Sequence, residues 1–393
     1  MKLIKTLIGG ICAGLIMQQA SACSSAFVPV YTNNVITNVI GFRTLDFEDD
    51  LPLPIRYGEV GDVNTSSIDV DLDAYNKAAT WINTYQFIGK PASDTQLMDG
   101  LNTAGVYVGA LYLPNITVYP RHQINNMPTL SVFDIINYVL GTSGSVAEAL
   151  TNLSNVQVSM GTIRVGAGVR KVFPLHFHIE DKTGASAVIE FLGGVMQVTT
   201  TGNLQVMGNS PEITWQQQNY DLVSSIFVTH NQYYEVNGEF MNGSGYLGLP
   251  GDSMPPSRYV RLRALLAASP QANTDVQATY VANAALYAGA FVPVGINTSP
   301  TYWSSLYNLT TGSYKITNYL TLGANNDFYV TPTSSPNYEN TYNVNSMVHL
   351  GQVHAIIQQA PLVTVITYEQ AETLMAYGTS PTATYVGRFF DGM

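Results

Sequence analysis

The sequence predicts an α+β fold, rich in strands and exported, and three observations carry that reading. Short apolar or alternating runs bounded by Gly, Asn, Asp and Pro recur from residue 24 to residue 207, and again after residue 301. Two stretches, 131–153 and 257–290, instead space their apolar residues for helices and open on capping residues or proline. Charged residues are only 11% of the 393, while Asn, Thr, Ser, Gly and Tyr abound, which suits strands joined by polar loops.

Residues 1–22 have the three-part form of a secretory signal: Lys2 and Lys5, an apolar run from Leu7 to Met17, then small residues to Ala22. The run is too short to stay as a membrane anchor, and no later stretch is long and apolar enough to span. Cleavage after Ala22 leaves residues 23–393, 371 in all, expected to form one domain because no repeat or linker divides them. Losing two lysines takes the formal net charge from −11 to −13, which argues against nucleic acid as a partner. Cys12 leaves with the signal, so Cys23 is the lone thiol of the mature chain and cannot form an internal disulfide. As the first mature residue it joins a nucleophilic thiol to an α-amine, a base of ordinary pKa about 7.7–8.0. The rival reading is a lipoprotein acylated at Cys23; that signal usually has a larger aliphatic residue where this chain has Ala20.

Segments 24–31 and 35–44 read as a hairpin around Thr32-Asn33-Asn34. Val35, Thr37, Val39, Gly41 and Arg43 share one face of its second strand, which returns Arg43 towards Cys23 and leaves Asp46 just past the strand end. The ordinary alternative for Arg43 and Asp46 is a surface ion pair. Segment 51–73 reads as loop with short strand pieces, and 99–105 as a turn feeding a buried strand that ends at Pro114. Ser131 caps a helix closed by Gly141, and Ser145-Val146-Ala147-Glu148 is a capping box opening a second helix through Leu153. Strands follow at 175–179, 186–191, 195–200 and 204–207. His176 and His178 share a strand face, but no third ligand stands at a telling distance, so packing is expected and a metal is not. Pro256 introduces a helix over 257–266. It places Arg258 where the helix dipole disfavours a cation, so an anionic partner is expected. A helix over 276–290 and strands at 313–322, 327–331, 362–368 and 385–390 complete the chain.

Six segments then stand in a telling order: Cys23-Ser24-Ser25, Gly41-x-Arg43-x-x-Asp46, Asp99-Gly100-x-Asn102-x-x-Gly105, Gly109-Ala110-Leu111-Tyr112-Leu113-Pro114, Gly208-Asn209-Ser210-Pro211 and Pro250-Gly251-Asp252-x-x-x-Pro256-Ser257-Arg258-Tyr259. From Cys23 to about Leu322 the chain resembles the choloylglycine hydrolases, a family of bile salt hydrolases and penicillin V acylases. The resemblance implies the four-layer αββα sandwich of N-terminal-nucleophile hydrolases, with which the element order is compatible without singling it out. It implies Cys23 as nucleophile, its own amine as base, Arg43 and Arg258 flanking the sulfur, and Asp46 holding the amine. Asn209 would give a side-chain N–H to the oxyanion, and Tyr112 its backbone N–H. The chemistry agrees, since arginines stabilise a thiolate, a carboxylate orients an ammonium, and donors stabilise a tetrahedral oxyanion. No cofactor and no metal is implied; a homo-oligomer, a tetramer, is. Tyr112 stands where most bile salt hydrolases have Asn and is similar to penicillin V acylases in this. The signal resembles the exported Gram-negative branch, some of whose members cleave acyl-homoserine lactones.

The expected function is therefore a periplasmic or secreted amidohydrolase that opens the linear amide of a small N-acyl substrate, penicillin V or an acyl-homoserine lactone. The alternatives are a bile salt hydrolase releasing glycine or taurine and, from another class, a non-catalytic surface lipoprotein tethered through Cys23. Trp81, Tyr85 and Tyr107 are expected to give the acyl pocket aromatic walls beside Tyr112, with loops 52–63 and 233–248 setting its width. The segment after Leu322 is assigned no role.

Overall fold

The computed structural model describes residues 23–46, 54–68, 77–91, 96–120, 126–165, 169–227, 233–242, 248–295, 299–322, 328–330, 335, 338–346, 348–350 and 353–355. Asn33 and Asn34, with φ of 52° and 64°, turn β1 (Ser24–Thr32) into β2 (Val35–Asp46). Two left-handed residues are what a tight hairpin needs and what Asn tolerates. Next come β3 (Arg56–Gly58), β4 (Phe87–Pro91), β5 (Leu97–Asn102) and β6 (Val106–Tyr112). The helices α1 (Ile135–Thr142) and α2 (Val146–Ser154) follow, and Ser145 Oγ accepts from the Glu148 N–H as the capping box requires. The chain returns to strands in β7 (Leu175–Asp181), β8 (Ser186–Leu192), β9 (Val195–Thr199) and β10 (Val206–Gly208). The helices α3 (Ile213–Ser224), α4 (Pro255–Ala268) and α5 (Asp275–Ala285) precede β11 (Thr301–Asn308), β12 (Ser313–Asn318) and β13 (Glu339–Asn343).

The strands form two large antiparallel sheets, ordered β10-β1-β2-β11-β12-β13 and β9-β8-β7-β6-β5-β4-β3. β6 shows why they stack. Val106, Val108 and Ala110 pack with Ile135, Ile136 and Val139 of α1. The alternate residues Tyr107 and Leu111 join Phe27, Ile40 and Phe42 of the other sheet. A strand apolar on both faces has to be covered on both. On the far side of the other sheet, α4 and α5 pack on β1 and β2. The result is the four-layer αββα sandwich. Gly41 matters to its interior, because a Cβ there would lie 2.3 Å from the Tyr307 ring.

Several elements differ from the sequence reading. Residues 99–105 are not a turn: β5 continues to Asn102, and only Thr103 to Gly105 reverse direction. The polar residues that suggest a turn are satisfied inside the sandwich. Asn102 donates to Leu140 O at 2.8 Å and Ser143 O at 2.7 Å, and its Oδ1 accepts from the Ala104 and Val106 N–H groups. Asp46 is the last residue of β2 rather than beyond it. β4 and α3 are additional elements, and the 276–290 helix ends in a π-helical turn, Leu286–Ala290. The strands expected at 362–368 and 385–390 lie outside the described residues.

Candidate active site

The site is built at the start of β1. Ser24 pairs with Thr44 of β2 on one side and Gly208 of β10 on the other. Cys23, one residue earlier, is thereby set between the end of β2 and Asn209. It is only 2% exposed.

β2 supplies Arg43 and Asp46, both fully buried. Arg43 Nη2 donates to Ala110 O at 2.8 Å and lies 3.8 Å from Cys23 Sγ. Its guanidinium sits 5.0 Å over the Trp303 ring, a favourable place for a desolvated cation. Asp46 Oδ1 accepts from Thr301 Oγ1 at 2.5 Å, and Oδ2 accepts from Thr44 Oγ1 at 3.3 Å and from Arg258 Nη1. The Asp46 backbone N–H donates to the Cys23 sulfur. Arg258 lies in the first turn of α4, which opens on Pro255, and Nη1 also donates to Ala290 O at 3.0 Å. The anionic partner expected for a cation at a helix start is thus Asp46.

The opposite wall is Asn209, just past β10 and fully buried. The Tyr112 N–H donates to Asn209 Oδ1 at 3.1 Å, which fixes the orientation of the amide. In this structure Tyr112 orients Asn209, a different use of its N–H from the oxyanion contact expected from sequence. Gln216 of α3 holds the same segment by its backbone. Its Oε1 accepts from the Gly208 N–H at 3.0 Å, and Nε2 donates to Gly208 O at 3.2 Å, Asn209 O at 3.1 Å and Pro211 O. Sequence reasoning missed Gln216, whose helix carries few apolar residues to mark it.

Burial pushes the Cys23 thiol up. Arg43 opposes this most, the Asp46 carboxylate adds to it, and the Asp46 N–H and Arg258 favour the thiolate. Burial also pushes the Asp46 carboxyl up, against Arg258 and the Thr301 hydroxyl. Arg43 and Arg258 favour a thiolate against the burial that opposes it, and the Asn209 amide is oriented by Tyr112.

All six residues expected at the site converge. The aromatic walls do not. Trp81 packs edge-on to Tyr138 of α1, with centroids 5.4 Å apart. Tyr107 lies between the sheets, stacked 3.8 Å from Tyr307. The Tyr85 hydroxyl lies by Gly144, and the Tyr112 side chain packs on the α1 side of its sheet. Nearness in sequence misled because alternate strand residues enter different layers. Of the two loops, 56–58 is β3, and residues Tyr233–Val236 pair with Glu239–Asn242 as a hairpin; the remainder lies partly outside the described residues.

A second buried cluster lies between the sheets. His178 Nε2 donates to Leu204 O at 2.8 Å, and its Nδ1 lies 3.0 Å from Glu180 Oε1 and 3.1 Å from Ser25 Oγ. Tyr307 OH donates to Glu180 Oε2 at 2.8 Å. Burial pushes the Glu180 carboxyl up to about 8 and His178 down to about 4. His176 packs against Glu190, with Nδ1 3.1 Å from Oε1. Both histidines are therefore packed side chains, as expected. Among the described residues no group of three His, Cys, Asp or Glu could hold a metal ion, and no helix is long and apolar enough to cross a membrane.

A model of the linear amide C–N hydrolases, choloylglycine hydrolase family, matches residues 29–325. The bile salt hydrolase/transferase of Clostridium perfringens (strain 13 / Type A) is 27% identical over 174 residues, 42% of this chain and 51% of the relative. The penicillin V acylase of Pectobacterium atrosepticum is 32% identical over 164 residues, 42% of this chain and 39% of the relative. The chain thus spans about half or less of the length of these curated relatives. The structure of a penicillin V acylase from Agrobacterium tumefaciens superposes with a TM-score of 0.59 at 20% identity, covering 82% of this chain and 91% of that one. A conjugated bile acid hydrolase from Clostridium perfringens gives 0.60 at 20% identity, covering 84% and 100%.

Proposed function

Because this chain belongs to the choloylglycine hydrolase family of linear amide C–N hydrolases, we propose that it hydrolyses the amide of a small N-acyl compound with Cys23 as nucleophile. Export to the periplasm or beyond and removal of residues 1–22 free the Cys23 amine. The amine takes the thiol proton, and the sulfur attacks the acyl carbon. Asn209 stabilises the resulting oxyanion. The ammonium returns the proton to the leaving nitrogen as the C–N bond breaks, and water then opens the thioester with the same amine as base. Arg43 and Arg258 favour the thiolate, and Asp46 orients the ammonium. The observation that carries this reading is the Cys23 sulfur 3.8 Å from a wholly buried Arg43.

The substrate is a penicillin V-like or acyl-homoserine lactone amide. This rests on similarity to the Pectobacterium penicillin V acylase. Assembly as a homo-oligomer belongs to the same reading. The test is turnover of penicillin V, a long-chain acyl-homoserine lactone and glycocholate by protein beginning at Cys23. We expect kcat/KM to be higher for one of the first two than for glycocholate, and Cys23→Ser to abolish turnover while the fold persists. Near-native turnover by Cys23→Ser, or by uncleaved precursor, would overturn the mechanism. A diacylglycerol adduct on Cys23 by intact mass would establish the lipoprotein instead.

A further inference from the structure

We infer that Asp99 is a positioning residue for this reaction: its carboxylate is the second counter-charge of Arg43 and sets how strongly that guanidinium favours the Cys23 thiolate. The inference rests on Cys23 being the nucleophile. Asp99 is fully buried in the middle of β5. Its Oδ2 accepts from Tyr107 OH at 3.0 Å and Ser305 Oγ at 2.5 Å, and Oδ1 accepts from Tyr314 OH at 2.5 Å. Three hydroxyls from three strands, all aimed at one carboxylate, make a built anion site within the protein.

Register places that anion beside Arg43 from both sheets. Ser305 is the residue paired with Arg43 across β2 and β11. Asp99 is itself paired with Gly109, next to Ala110, whose carbonyl takes Arg43 Nη2. Asp46 is occupied by Arg258 and Thr301. Cys23 and Asp99 act most on Arg43, with Tyr107 and Tyr314 beside them, and Arg43 also acts on Asp46. Cys23 faces Arg43 and Asp46 from β2 and Arg258 from α4. Asp99 faces Arg43 from β2, Tyr107 from β6 and Tyr314 from β12, is paired in register with the buried Lys90 of β4, and has Tyr307 of β11 and Glu180 of β7 one layer further along the stacked tyrosines. The carboxylate therefore reaches the sulfur through the guanidinium. A negative charge behind Arg43 weakens the field that Arg43 projects on Cys23, and removing it strengthens that field.

The experiment uses the enzyme beginning at Cys23. Asp99→Asn keeps the shape and removes the charge. The midpoint of Cys23 alkylation by iodoacetamide, and the acid limb of kcat/KM, should both move to lower pH by about one unit. Turnover on the plateau should fall, since a more acidic thiol is a weaker nucleophile. Asp99→Ser, smaller and without an amide N–H facing the hydroxyls, removes the same charge and should move the midpoint in the same direction should the Asn variant fail to fold. An unmoved midpoint, or one moved to higher pH, with turnover in the parent intact, overturns this inference alone. A parent without turnover, or a Cys23→Ser variant that keeps it, overturns the reading of the site instead.

Discussion

Asp46 and Glu180 are carboxyls of equal burial, each wholly shielded from water, yet they meet that environment differently. Asp46 has a guanidinium, Arg258, in direct contact, with hydroxyls from Thr44 and Thr301. Burial raises it, but the surrounding donors favour the ionised form. Among the described residues Glu180 has hydroxyl donors and a histidine but no cation against it, and its carboxyl is pushed up to about 8. His178, at about 4, is neutral. The lesson is that depth alone does not decide charge. A cation held beside a buried carboxyl favours its ionised form, and where none is held burial favours the proton.

Breaking the charged member should have the larger effect. Arg258→Gln leaves Asp46 buried without its cation, and unfolding free energy should fall by about 3–5 kcal/mol, read from the urea midpoint. A loss well under 1 kcal/mol would place Asp46 in the same neutral class as Glu180 and dissolve the contrast. Asn209→Ala removes an uncharged member of the same centre. It should lower kcat by about 10²–10³, with a smaller change in KM; a change confined to KM would make Asn209 a substrate-binding residue only.

The smallest effect sharpens the neutral member and depends on pH. The Glu180 value of about 8 lies above its ordinary 4.5, so its contribution is complete below 4.5 and is lost as pH rises through 8. The His178 value of about 4 lies below its ordinary 6.5, so its contribution is complete above 6.5 and is lost as pH falls through 4. Between 4.5 and 6.5 the two trends oppose, and from 6.5 to 8 Glu180 acts alone. Over that last interval the parent should lose about 2 kcal/mol relative to Glu180→Gln. Parallel urea midpoints for the two proteins across it would show that Glu180 is ionised in the fold.

What the sequence made legible was local. Arg43 could be brought to Cys23 because one tight hairpin, turned by Asn33 and Asn34, joins their strands. Arg258 could be assigned an anionic partner because of its place in a helix. Its partner being Asp46, and the roles of Gln216 and Asp99, depend on contacts across layers that no periodicity encodes. Asp99 reads as a turn residue because Asp, Gly and Asn within four positions look like one; the hydroxyls arriving from β6, β11 and β12 make it tolerable in a strand. Proximity in the chain suggests Trp81 and Tyr107 for the site, whereas Trp81 packs on Tyr138 of α1 and strand alternation turns Tyr107 between the sheets.

The strand that follows Cys23, β1, lies inside its sheet, flanked by β2 and β10. Its first neighbour follows at once in the chain, but Gly208, Arg258 and Thr301 are made much later. Contacts so distant in sequence form slowly, because long loops must close before any is rewarded. A chain emerging from the ribosome can complete the β1–β2 hairpin, with Arg43 in place, while the Asn209 wall and the Arg258 partner are still missing. Cys23 is thus the first part of the site to be synthesised and among the last to be surrounded by its partners, and recovery of activity during refolding will report closure of the whole sheet rather than of its first hairpin.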